Sequence, residues 1–102
     1  MHTEDLIYKI IGGKIKDLRT KHDLSQEKLA QEIGLLRTSI VNIEAGRQRA
    51  PIHILFKISN IFSVELKELI PTCAEVSSLE KPTTLLNELP KKASKIYNKL
   101  KN

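Results

Sequence analysis

Two short helical segments joined by a very short turn constrain this chain more than any other feature in it. Ser25 stands just before Gln26-Glu27-Lys28-Leu29-Ala30-Gln31-Glu32-Ile33, and Gly34 follows. A serine hydroxyl accepts from an orphaned amide of the first helical turn, so Ser25 is a natural N-cap. Gly34 tolerates the left-handed backbone that stops a helix. The pattern predicts a helix over 26–33. Gly34-Leu35-Leu36 then leads into Arg37 to Ala45, closed by Gly46, with Ile40 and Ile43 facing inward. This predicts a second helix over 37–45. So short a connection holds the two helices at a nearly fixed angle.

The flanking segments supply the rest of a small helical core. Ile7, Ile11, Ile15 and Leu18 recur at helical spacing before the turn-like Lys21-His22-Asp23, which predicts a first helix from about Glu4 to Lys21. Gly12 and Gly13 lie inside it, and each costs ~1 kcal/mol against alanine. Pro51 suits the first turn of a fourth helix that runs to Phe62. A short fifth helix is expected over Glu65 to Ile70, stopped by Pro71. Aromatic residues make up 4% of the chain and Trp is absent, so the core is built from Ile and Leu, with little provision for stacking on bases.

Beyond Pro71 the composition changes. Cys73 to Thr83 contains Ser77, Ser78 and Pro82 and reads as a linker, and Thr84 to Leu89 reads as a helical turn or two. After Pro90, the segment Lys91 to Lys101 places Ala93, Ile96, Tyr97 and Leu100 on one face of a basic amphipathic helix. The expected organisation is therefore one all-α domain over 1–70 and a linker with a basic amphipathic segment over 71–102.

A short helix bracing a second short helix is the geometry a DNA-reading helix-turn-helix needs: the first steadies the backbone and the second enters the major groove. The residues at fixed places here resemble the lambda-repressor-like family, of the Cro/cI or XRE type. The resemblance rests on Ile11-Gly12, Leu18-Arg19, Leu24-Ser25-Gln26-Glu27-Lys28-Leu29-Ala30, Gly34, Ser39-Ile40, Ile43-Glu44-Ala45-Gly46 and Pro51. It continues more weakly through Leu55, Ile58, Phe62, Leu66 and Leu69. It spans more than half of the chain, in order and in spacing. Two positions depart from it: Leu36 stands where Ser or Thr usually caps the recognition helix, and Ser63 replaces the usual glycine after helix four.

The resemblance implies a compact five-helix domain and a set of roles. Arg19 and Glu44 match a partly buried ion pair that ties helix one to helix three. Gln26 and Ser39 match phosphate-contacting positions, as do Arg47 and Arg49 just after the recognition helix. Arg37, Thr38 and Asn42 match positions that reach base edges. Their chemistry fits such contacts, since Arg bonds the guanine O6/N7 edge, Asn the adenine N6/N7 edge, and the Thr methyl meets a thymine methyl. The bland alternative for each is a solvated helix face.

Charge and the remaining residues limit the other function classes. The net charge is +5 and the pI about 9.4, which favours a polyanionic partner. His2, His22 and His53 lack metal-ligand spacing, and no paired carboxylates or phosphate loop occur, so no enzyme activity, metal or cofactor is expected. A lone Cys73 and the absence of a signal peptide or a long apolar run point to the cytoplasm. Helix four carries more apolar residues than its core duty requires. Ile54, Phe56 and Ile61, with Ile96, Tyr97 and Leu100 in the tail, are the expected dimer or partner surface. The expectation is a sequence-specific double-stranded DNA-binding regulator, acting as a homodimeric repressor on an inverted-repeat operator. An antitoxin that also binds a toxin through its tail is the other class left open.

Overall fold

The long first helix is the frame on which the others are assembled. In the computed structural model, which describes residues 2–80, α1 runs Thr3–Lys21. Glu4 and Asp5 lie in its first turn and Arg19 and Lys21 in its last, complementing the helix dipole. Its chain reverses through Asp23, which takes a left-handed backbone at φ 53°. The later elements are α2 Gln26–Ile33, α3 Arg37–Glu44, α4 Ile52–Phe62, a 3-10 turn Leu66–Leu69 and α5 Cys73–Leu79. The described residues contain no strand, and the fold is all-α as expected.

The capping signals act where the sequence places them. Ser25 Oγ accepts from the Lys28 amide at 3.0 Å, and Gly34 ends α2 in the left-handed region at φ 75°. Pro51 is the N-cap of α4, one place before the first turn, and Ser63 supplies a left-handed C-cap at φ 55° where glycine would be unstrained. Leu36 caps α3 with no side-chain hydrogen bond. The core is aliphatic: Ile15, Leu29, Ile40, Ile43, Ile58 and Leu69 are fully buried, one or more from each of α1 to α4 and the 3-10 turn. Burial of each stabilises the fold by roughly 1.5–3 kcal/mol.

Three expectations are corrected. The fifth helix read over 65–70 is only the 3-10 turn Leu66–Leu69, held by reciprocal bonds between Glu65 and Glu68. The linker read over 73–83 is replaced in its first part by α5. Thr72 and Glu75 form a capping box, with Glu75 N donating to Thr72 Oγ1 at 3.1 Å and Thr72 N to Glu75 Oε1 at 3.0 Å. Lys14 Nζ reaches Glu75 Oε2 at 2.9 Å and holds that carboxyl below its usual range, helped by the Thr72 amide. Thr3 Oγ1 donates to Glu80 at 3.0 Å, so α5 lies along α1 and the packed unit continues past residue 70. Third, Ile54 is buried in the core and offers no partner surface. Ile61 is half-buried against the same core, whereas Ile52 and Phe56 are exposed. The tail residues Ile96, Tyr97 and Leu100, and the amphipathic segment that contains them, lie outside the described residues.

The two adjacent glycines of α1 have opposite surroundings. A Cβ on Gly12 would collide with the Ile43 carbonyl oxygen and lie 2.6 Å from that of Glu44, so α3 ends directly against bare α1 backbone. A Cβ on Gly13 would meet nothing within 4 Å. Gly12→Ala is therefore expected to destabilise the protein by at least about 2 kcal/mol, because backbone cannot move aside as a side chain can. Gly13→Ala is expected to stabilise it by about 0.5–1 kcal/mol through helix propensity. Urea unfolding of the two variants, read as shifts of opposite sign, checks this.

Candidate nucleic-acid interface

The recognition helix candidate is fixed at its C-terminal end by one carboxylate. Glu44 is the last residue of α3, and its side chain is 3% exposed. Its Oε2 accepts from Arg19 Nε at 2.6 Å; its Oε1 accepts from Arg19 Nη2 at 3.0 Å and from Gln26 Nε2 at 3.0 Å. Arg19 Nη1 also donates to the Leu24 carbonyl at 2.9 Å. The ion pair expected between Arg19 and Glu44 is thus present, bidentate and largely shielded from water. It joins α1 to α3, and Gln26 brings the first turn of α2 into the same cluster. A bidentate guanidinium–carboxylate contact is directional, so it sets an angle as well as a distance.

From this anchor α3 projects its polar side chains. Arg37 and Thr38 are exposed, and Ser39 and Asn42 are half-buried. Thr38 and Asn42, four residues apart, share one helix face. Gly46 follows in the left-handed region at φ 78°, where a Cβ would lie 2.9 Å from Lys9 Cα. The turn it makes sends the Arg47 and Gln48 amides back onto the Asn42 carbonyl, at 2.9 and 3.2 Å. Arg47 Nε donates to Asn42 Oδ1 at 3.1 Å. Arg49 Nη2 donates to Glu4 Oε2 at 3.0 Å, and its guanidinium carbon sits 5.0 Å from the centre of the Tyr8 ring.

The structure therefore brings Arg37, Thr38, Ser39, Asn42, Arg47 and Arg49 onto α3 and the turn after it. Gln26 is close by, but its amide nitrogen is engaged by Glu44. The internal partners of Gln26, Arg47 and Arg49 are features sequence reasoning missed. The partner lies 18 residues away for Gln26 and 45 for Arg49, with no local pattern to signal it. Among the described residues no group of three His, Cys, Asp or Glu side chains could hold a metal, and no helix is long and apolar enough to cross a membrane.

Residues 15–69 match the helix-turn-helix family. The chain belongs to that family, in its lambda-repressor-like, Cro/cI or XRE form. It is 36% identical over 57 residues to an uncharacterised HTH-type transcriptional regulator of Methanocaldococcus jannaschii, covering 56% of this chain and 86% of that one. It is 39% identical over 62 residues to the control protein C.BamHI of Bacillus amyloliquefaciens, covering 60% of this chain and 76% of that one. The crystal structure of the restriction-modification controller protein C.AhdI from Aeromonas hydrophila superposes with a TM-score of 0.58 at 32% identity, over 65% of this chain and 97% of that one. A DNA-binding transcriptional regulator is what the family assignment supports, and these relatives are named as regulators or control proteins, not as enzymes. The match ends at Leu69, so α5 lies outside it.

The carboxylate cluster makes a quantitative expectation. Removing either Arg19 or Glu44 strands a buried charge, at a cost of about 3–5 kcal/mol. Arg19→Ala and Glu44→Ala should each approach that range in chemical unfolding. The double variant should cost less than the sum of the singles by well over about 1 kcal/mol, because the second change removes the stranded partner. Strict additivity would mean that the two side chains do not act as a unit.

Proposed function

We propose that this protein is a sequence-specific, double-stranded DNA-binding transcriptional regulator that represses by occupying an inverted-repeat operator as a homodimer. The observation that carries the reading is the geometry of α3. Its buried end is locked to α1 and α2 through Glu44, while Arg37 and Thr38 stand exposed on the same short helix. In this reading α3 enters the major groove, Arg37, Thr38 and Asn42 read base edges, and Ser39, Arg47 and Arg49 hold phosphates. Gln26 contributes from the start of α2, through its backbone amide while its side chain stays on Glu44. Arg49 exchanges Glu4 for phosphate, a swap between two anions with an exposed pair as the starting point. The cytoplasm is the compartment this function requires.

Dimerisation follows from site size. One recognition helix covers too few base pairs to define a rare site, and two-fold symmetry sets two such helices about 34 Å apart on one face of the duplex. The exposed apolar pair on α4, Ile52 at 62% and Phe56 at 56%, supports a self-association surface there. Phe56→Asp is expected to shift the protein to monomer in sedimentation without unfolding it, since the side chain is outside the core. A wild-type chain that stays monomeric at high concentration, both alone and on its selected DNA, would remove the homodimer.

Selection from random duplex DNA tests the central claim. Arg37→Ala and Asn42→Ala should each weaken binding to the selected site by about 1–3 kcal/mol per half-site and relax preference at one base pair. Arg49→Ala should instead weaken binding to all duplexes and flatten the dependence of log K on log salt by roughly one unit per subunit. Equal losses on selected and random DNA for all three would leave a non-specific polyanion binder.

A further inference from the structure

Asn42 is gripped through two oxygens by the turn that follows α3. Its backbone carbonyl takes the Arg47 and Gln48 amides, and its side-chain Oδ1 takes Arg47 Nε. An arginine Nε–H only donates, so this contact settles which end of the Asn42 amide is oxygen. The amide nitrogen Nδ2 has no protein partner among the described residues and carries two donors.

Base edges differ in what they ask of such an amide. Adenine offers the N7 acceptor and the N6 donor, and the bidentate pairing with asparagine needs its oxygen and nitrogen together. Guanine offers two acceptors, N7 and O6, and thymine offers the acceptor O4. We propose that Arg47 is a positioning residue for specificity: by bonding one lone pair of Oδ1 and setting a cation beside it, it disfavours a further donor such as adenine N6 at that oxygen and leaves Nδ2 to meet an acceptor, so that Asn42 selects guanine or thymine over adenine at the base it faces. The inference rests on the reading of α3 as the base-reading helix. It departs from the simplest expectation for an asparagine at this place, which is adenine. It also gives Arg47 two separable roles. Nε orients Asn42, while the charge and the terminal Nη groups serve phosphate.

Lysine separates them. It keeps the positive charge but places a methylene where Nε stands, so it retains attraction to phosphate and loses the donor that holds Oδ1. Arg47 is exposed, so the substitution leaves the core untouched. The experiment is selection from random duplex DNA with the full chain as wild type, Asn42→Ala, Arg47→Lys and Arg47→Ala, with salt titrations on the selected site. Asn42→Ala marks the base pair concerned. The wild type should show guanine or thymine there. Both Arg47 variants should move the preference toward adenine by about fivefold or more, the lower end of what one base contact discriminates. Arg47→Lys should keep the wild-type salt slope while Arg47→Ala flattens it. Adenine in the wild type, an unchanged preference in Arg47→Lys, or no position affected by Asn42→Ala would each overturn the proposal. A site that still depends on Arg37 would in those cases leave the DNA-binding reading standing; selection of no site at all would remove both.

Discussion

The directional bonds that tie α3 to α1 and α2 converge on the carboxylate of Glu44. Three N–H groups from two other helices converge on its two oxygens, with the shortest contact 2.6 Å. Hydrophobic burial is non-directional. A core of isoleucine and leucine keeps α1, α2 and α3 together, and directional bonds add to what packing and the short turn already set for their angles. Hydrogen bonds from a planar guanidinium and an amide are directional, and here they meet at the end of the helix whose angle matters. The neighbouring backbone acts at the same place. Gly12 lets α1 approach the Ile43 and Glu44 carbonyls more closely than any side chain would permit. The charge cluster and the bare helix surface are two halves of one joint: one gives direction, the other gives closeness.

Most of the fold is legible in the sequence because its punctuation is local. The limits of α2 follow from Ser25 and Gly34, and the expected helix agrees with the observed Gln26–Ile33. The expected recognition helix ends within a residue of Glu44, although Leu36 lends it no cap. The signal for α5 is equally local. Thr72-Cys73-Ala74-Glu75 has the spacing of a capping box, yet Ser77 and Ser78 pull the segment toward a linker reading. The side of α4 that Ile54 occupies is also readable. It stands four residues before Ile58, a residue assigned to the core, and helical spacing puts the two on one face. The surplus of apolar residues on that helix obscures this, and the exposed pair proves to be Ile52 and Phe56.

The electrostatics of the candidate interface are less legible, for a physical reason. A sequence displays charges but not which charges the fold will bring together. Arg47 and Arg49 read as two free cations after the recognition helix. In the structure one is bonded to Asn42, and the other lies between Glu4 and Tyr8 from the start of α1. The overall charge of +5 is therefore a poor guide to the field at α3. Arg49 is matched from within by Glu4, so any contribution it makes to anion binding is an exchange of partners, with a smaller net gain than an unpaired charge would give, whereas the neutral Asn42 amide leaves the charge of Arg47 in place.

The placement of α5 shows how an element outside the family match bears on the same joint. Along α1, Gly12 and Arg19 are seven residues apart, two helical turns, and share the face that meets α3. Ile10 and Lys14 are each two residues from Gly12, which turns them about 160° around the helix axis. They border the recess that Glu75, Ser78 and Leu79 of α5 help to form. α1 is thus held between α3 on one side and α5 on the other. α5 has no fully buried residue and is fastened by Lys14–Glu75 and Thr3–Glu80, so it adds little core. What it adds is restraint on the N-terminal half of α1, the part that also carries Glu4 and Tyr8 to Arg49. A helix that contributes almost nothing to burial can still steady the partners of an arginine at the candidate interface, because both attach to the same rigid rod.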